Sequence, residues 1–136
     1  MQSIKTILDE KLNIELLLKL HLLITKETLE SPDDEGRFRN PNDNFSVVTN
    51  YGELLFTPPK AEEIENRLKA LIDFANETND KPFIHPVIKA IILHFWMAYI
   101  HPFIDGNGRM ARTLFYWYML KKNIGSSNIL LSPKPC

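Results

Sequence analysis

Residues 101–112 read HPFIDGNGRMAR, from His101 to Arg112, and the way this stretch folds decides how the chain is built around it. The residue before a proline disfavours the helical region, so His101-Pro102 stops the helix that approaches it. The loop Ile104 to Gly108 follows, and a new helix begins at about Arg109. A helix start exposes unpaired N–H groups and partial positive charge, so acidic residues suit its first turn and basic ones cost about 0.3–1 kcal/mol each. Here the charges are reversed. Arg109 and Arg112 are three apart, hence on one face of the first turn, and Met110, Ala111 and Thr113 carry no acid to offset them. That arrangement calls for an external anion.

Gly106 and Gly108 flank Asn107. Glycines at these positions let the backbone take positive φ and turn consecutive N–H groups toward a ligand, as an anion nest that suits a phosphate chain better than a lone carboxylate. Asp105, just before the nest, is poorly placed to bind phosphate itself. It is well placed to hold Mg²⁺, which takes one or two carboxylates plus phosphate oxygens. His101, four residues earlier at a helix end, is a candidate general base, since its imidazole titrates near neutrality. Together these residues describe a site for a metal-bound nucleotide.

Working outward, the segments on both sides read as helices with one extended stretch, so the chain is mainly α. Pro86 opens the helix that ends at His101, through Ile91, Ile92, Phe95 and Ala98, and its apolar character predicts a buried helix. The helix after the loop carries Leu114, Phe115, Trp117, Tyr118 and Leu120 into the core and ends at Asn123 and Gly125. Asn13 caps a first helix with Leu16, Leu17, Leu20, Leu23 and Ile24 at helical spacing, which Ser31-Pro32-Asp33-Asp34 terminates. Phe45 to Phe56, FSVVTNYGELLF, places β-prone residues on either side of Asn50-Tyr51-Gly52 and predicts a short hairpin. Thr57-Pro58-Pro59 supplies an N-cap and a first-turn proline for a helix that buries Ile64, Leu68, Leu71, Ile72 and Ala75 and ends in the run Asn76 to Asp80.

Composition excludes several classes of function. With 136 residues, 44% of them hydrophobic, the chain suits one compact domain. Sixteen basic against seventeen acidic residues leave a net charge of −1, so nothing draws it toward nucleic acid or an anionic membrane. Asp9, Glu10, Lys11, Glu15 and Lys19 break the leucine-rich start, which fits neither a secretory leader nor a membrane span. The single cysteine, Cys136, allows no disulfide framework and is compatible with a cytoplasmic setting. His94 lies seven residues before His101, about 10 Å along a helix, too far to share a metal with it. His21 and His85 read as structural.

HPFIDGNGRMAR matches every defining position of the Fic signature, His-Pro-Phe-x-Asp/Glu-Gly-Asn-Gly-Arg-x-x-Arg. The chain therefore resembles the Fic (Fido) family of adenylyltransferase type. The likeness extends upstream through Gly36-Arg37-Phe38-Arg39, the hairpin and Phe56-Thr57-Pro58-Pro59, over roughly residues 12 to 122. It implies a Fic-type helical bundle with a short β-hairpin flap, in a single domain over 1–136 that is truncated at both ends.

The resemblance further implies transfer of AMP from Mg-ATP to a Ser, Thr or Tyr hydroxyl of a target protein. In that scheme His101 is the base, Asp105 holds Mg²⁺, and Gly106, Asn107 and Gly108 cradle the phosphates. Arg109 and Arg112 neutralise the leaving charge, and Phe103 anchors the loop in the core. The target would dock at the flap, Phe45 to Phe56, by strand addition; the same stretch reads equally well as a connector. The two loop glycines and Arg109 argue against the related Doc-like branch, whose implied reaction is phosphorylation.

Many family members are restrained by a glutamate from a Ser/Thr-x-x-x-Glu-Gly/Asn helix, for which Arg112 would be the partner. Ser31 to Gly36 fits that string but abuts the Gly-x-Phe-Arg segment, so it is read as a polar loop, with the inhibitory helix either lost with an upstream region or its glutamate supplied by a partner protein. Two alternatives stay open: a truncated, catalytically incompetent Fic domain that binds nucleotide or a partner, and a donor other than ATP.

Overall fold

A computed structural model describes residues 9–43, 47–48, 51–77 and 82–122. Four α-helices dominate the described residues: α1 Ile14–Thr25, α2 Ile64–Asn76, α3 Pro86–Ile100 and α4 Asn107–Lys121. Helices α3 and α4, joined by residues 101–106, pack most closely on each other, with α1 against α4 and α2 against α3. Leu17, Leu68, Leu71, Leu93, Met97, Ile100, Phe103, Met110 and Leu114 form the buried centre. Each such side chain contributes about 1.5–3 kcal/mol on burial.

The Asn13 side chain caps α1 as its position predicts, accepting the Leu16 amide at 2.8 Å. Its buried face is Leu16, Leu17, Leu20, His21 and Thr25. Leu23, expected in the core, is 53% exposed; the inward face turns instead through His21 and Thr25, which meet the loop before α4. The helix ends at Thr25, ahead of Ser31-Pro32-Asp33-Asp34, and Pro32–Asp34 is a separate 3₁₀ turn.

At the opposite end of the bundle Asn76 ties two segments together. Its side chain accepts from the Leu12 amide (2.9 Å) and donates to the Leu12 carbonyl (2.8 Å). Thr57-Pro58-Pro59 does not cap α2. The helix is entered through a 3₁₀ turn, Ala61–Glu63, after extended Lys60, because Pro58 and Pro59 are buried and the Pro59 carbonyl is taken by Arg39 at 2.6 Å.

Pro86 does open α3, with the His85 ring accepting the Val87 amide at 3.1 Å. Its phase differs from the expectation of a wholly buried helix. Lys89, Ala90, Leu93, Met97 and Ile100 face inward, whereas Ile91, Ile92 and Phe95 are exposed. A helix apolar on every side carries no periodicity from which its inner face can be read. Helix α4 starts at Asn107, two residues before the expected Arg109, and buries Leu114, Trp117 and Tyr118, with Phe115 and Leu120 half-buried. Asn123 and Gly125, expected to end it, lie outside the described residues.

Two short antiparallel strands, β1 Val47–Val48 and β2 Leu54–Phe56, pair Val47 with Phe56 and Val48 with Leu54. Of the expected hairpin, Phe45 to Phe56, residues 45–46 and 49–50 fall outside the described residues.

Candidate active site

Residues 101–107 connect α3 to α4 through a turn whose geometry is held from several sides. His101 caps α3 in a left-handed conformation, φ 52° and ψ 56°. For a residue with a side chain this costs about 1–2 kcal/mol, and the following proline bars the helical alternative. Its amide still donates to the Met97 carbonyl (3.0 Å). Its Nδ1 lies 3.0 Å from the Ala98 carbonyl, an oxygen that can only accept, so Nδ1 carries the proton and Nε2 keeps its lone pair. Burial holds the imidazole pKa below its usual value, against the pull of the Ala98 carbonyl, and the Arg39 charge lowers it further. The ring of Phe56, at the end of β2, meets His101 edge-on with centroids 5.8 Å apart.

Arg39 grips the backbone on the other side of this base. It is 6% exposed, and its Nε donates to the His101 carbonyl (2.6 Å) while Nη2 reaches the Ile100 (3.1 Å) and Pro59 (2.6 Å) carbonyls. Its own amide donates to the Pro102 carbonyl at 2.8 Å. The neighbouring Phe38 forms an antiparallel bridge with Phe103.

Phe103 is the buried anchor, as expected. Its amide donates to Asn107 Oδ1 (2.9 Å) and its carbonyl accepts from Asn107 Nδ2 (2.7 Å), so the Asn107 side chain closes the turn on itself. Beneath Phe103 lies His21, its ring stacked 3.7 Å away and nearly parallel, at 3°. His21 Nδ1 accepts the Gly36 amide (2.9 Å), which leaves Nε2 as the donor to the Asp105 carbonyl (2.8 Å). Both nitrogens are used in the neutral form, and burial, first among its causes, lowers the His21 pKa. The structural role expected for His21 is thus a brace directly under the loop. Gly106 follows with φ +83°, where an added Cβ would sit 2.8 Å from Thr25 Cγ2 and 3.2 Å from His21 Nε2.

The outward side of the turn carries different chemistry. Asp105 is exposed, with Oδ1 accepting the Gly106 amide at 2.7 Å. Asn107, Gly108 and Arg109 open α4, and the first amide to bond within it is that of Met110, to the Gly106 carbonyl at 2.8 Å. The three preceding amides form the positive end of the helix. Of the two glycines only Gly106 takes positive φ. Gly108 is helical, and its lack of a side chain leaves room for the Arg112 guanidinium, 3.4 Å from where a Cβ would lie. No acidic residue occupies this first turn. The two arginines reach different neighbours: Arg109 Nη1 donates to Thr28 Oγ1 (2.7 Å) beyond α1, and Arg112 lines a cleft with Ile91, His94, Phe95, Phe115 and Tyr116.

Among the described residues no group of three or more His, Cys, Asp or Glu side chains gathers as a resident metal centre. A single exposed carboxylate at a helix start does fit a hard cation completed by ligand phosphates and water. Glu35, in the string that resembles an inhibitory motif, accepts the Glu27 amide at 2.9 Å, while Arg112 faces the cleft between α3 and α4. Of the bracing residues, Arg39 lay inside the Gly-x-Phe-Arg likeness. Nothing in the local pattern marks it, or His21, as a partner of backbone 62 and 84 positions away.

The sequence profile of the Fic/DOC family matches residues 11–119, which span the braces, the turn and most of α4. The chain belongs to the Fic/DOC family. Relatives of this Fic domain include the protein adenylyltransferase Fic of Nematostella vectensis, 30% identical over 106 residues that make up 78% of this chain and 22% of that protein. The protein adenylyltransferase of Caenorhabditis elegans is 30% identical over 112 residues, 82% of this chain and 20% of its own length. The chain thus spans about a fifth of the relatives that carry the name of the activity. Among solved structures, a Fic-domain signalling protein from Bacteroides thetaiotaomicron superposes with a TM-score of 0.67 at 29% identity, covering 88% of this chain and 45% of that one. A Fic family protein from Desulfovibrio desulfuricans also gives 0.67, at 27% identity, over 88% and 34%. No helix among the described residues is long and apolar enough to cross a membrane.

Proposed function

We propose that this Fic domain is a Mg²⁺-dependent protein adenylyltransferase that moves AMP from ATP to a Ser, Thr or Tyr hydroxyl of a target protein in the cytoplasm. The observation that carries the reading is the pairing of an imidazole held through Nδ1 by the Ala98 carbonyl, which leaves the basic lone pair on Nε2, with a helix start that bears two arginines and no acid. His101 Nε2 takes the proton of the target hydroxyl as its oxygen bonds to the α-phosphorus, and the bond to the β-phosphate bridging oxygen breaks, releasing pyrophosphate. The amides of Asn107, Gly108 and Arg109 bind phosphate oxygens, and Arg109 and Arg112 offset the charge that builds on the leaving group. Asp105 would hold Mg²⁺, which when bound screens the phosphate charge.

The target docks along the β1–β2 segment, whose Phe56 touches the base. A partner protein that presents a glutamate to Arg112 restrains the reaction. The test is incubation with labelled ATP and Mg²⁺: the chain or a lysate protein acquires label, and the added mass names the transferred group. A second reading is a Fic domain that binds nucleotide or a partner without turnover. Calorimetric binding of ATP with no transfer to any acceptor would favour it.

A further inference from the structure

The base would work only if its ring is aimed, and its aim depends on a backbone conformation that is unfavourable by itself. His101 sits at φ 52° and ψ 56°, and such conformations persist where the surroundings over-determine them. The surroundings here converge on one side chain. Arg39 donates to the carbonyls of Ile100 and His101, its amide donates to that of Pro102, and Nη2 adds the Pro59 carbonyl from the segment before α2. Three consecutive carbonyls across the end of α3 are thereby fixed by a residue from a distant part of the chain. Ala98 fixes the ring from the other side, through Nδ1.

We infer that Arg39 is a positioning residue for the transfer reaction, holding the backbone of His101 so that Nε2 is presented to the acceptor hydroxyl. The inference rests on His101 being the base. Helix C-termini accept arginines readily, and a brace that merely secured α3 would also be buried here. The two roles differ in what they move. A brace changes the melting temperature and, through its charge, the His101 titration, but leaves kcat alone. A positioning residue also changes the rate at saturating nucleotide, and the Arg39 charge, which acts on the His101 ring after burial and the Ala98 carbonyl, lowers the pH at which the base titrates.

The experiment compares wild type, Arg39→Met and Arg39→Lys in the full chain, below the melting temperature of each. The readouts are kcat and KM for Mg-ATP, the pH profile of the rate, and NMR titration of the His101 imidazole. Arg39→Met should lower kcat by about 100-fold, the scale of an ångström-sized misplacement, with KM for ATP within about threefold. Its acid limb and its imidazole titration should both move to higher pH, because a cation beside the ring has gone. Arg39→Lys restores the charge without the planar fork, so its titration should return toward wild type while kcat stays depressed. Unchanged kcat in both variants, beside a lowered melting temperature, would overturn the inference. If wild type transfers nothing, the reaction proposed above fails. The imidazole spectrum still decides this inference: a His101 ring that keeps its Nδ1-protonated tautomer and its ring shifts in Arg39→Met would overturn it.

Discussion

Within residues 101–112 two sets of side chains behave in opposite ways. Phe103 and Asn107 are buried and closed on each other by two hydrogen bonds, with His21 stacked beneath. Asp105 and Arg112 are exposed, and Arg109 half-buried. The difference teaches that conspicuous residues of one motif serve separate ends. The inner set spends its hydrogen bonding on the shape of a strained turn, and the outer set is left where a ligand can reach it. Asn107 shows the division within one residue, since its side chain closes the turn while its backbone opens α4.

Substitutions should therefore separate stability from chemistry. The largest effect is expected at His101→Ala, which should slow transfer by at least about 100-fold, the usual scale of general base catalysis, while the melting temperature moves by no more than about two degrees. Asn107→Ala should do the reverse first. It orphans the Phe103 amide and carbonyl, each costing about 1–3 kcal/mol when left buried, and denaturant melts should register that loss before any rate is measured. Gly106→Ala follows, at about 1–3 kcal/mol, because a methyl would press on Thr25 and on the His21 ring. Equal stability of Asn107→Ala and wild type would break the proposed division.

The smallest effect concerns pH. His21 and His101 are both held below the ordinary imidazole value of about 6.5. The folded chain thus binds fewer protons than the unfolded one below that pH. Their contribution is intact above about 6.5 and is lost progressively as pH falls from there toward the lower folded values. Melting temperatures should be level above pH 7 and decline from there to pH 5.5.

What could be read from the sequence was what is decided locally. Asn13 as a cap, Pro86 as a helix start and His101-Pro102 as a helix stop depend on neighbouring residues, and the structure has all three. The orientation of α3 was not legible, because isoleucines and aromatics surround it and only packing chooses which face turns in. The start of α4 was misplaced because the left-handed residue is Gly106 and not Gly108. Arg109 and Arg112, proposed to meet phosphate, were visible as a charge anomaly at a helix start, and the candidate base His101 as a histidine at a helix stop. Their supports were not, since His21 and Arg39 act on backbone far away in the chain.

The central claim is that residues 101–112 direct an acceptor hydroxyl to the α-phosphate of a bound nucleotide. Parallel reactions with ATP labelled at the α- or the γ-phosphate test it directly. The account predicts that the α-label passes to protein and the γ-label leaves with pyrophosphate, both requiring His101. Protein carrying the γ-label, or α-label transfer undiminished in His101→Ala, would contradict it.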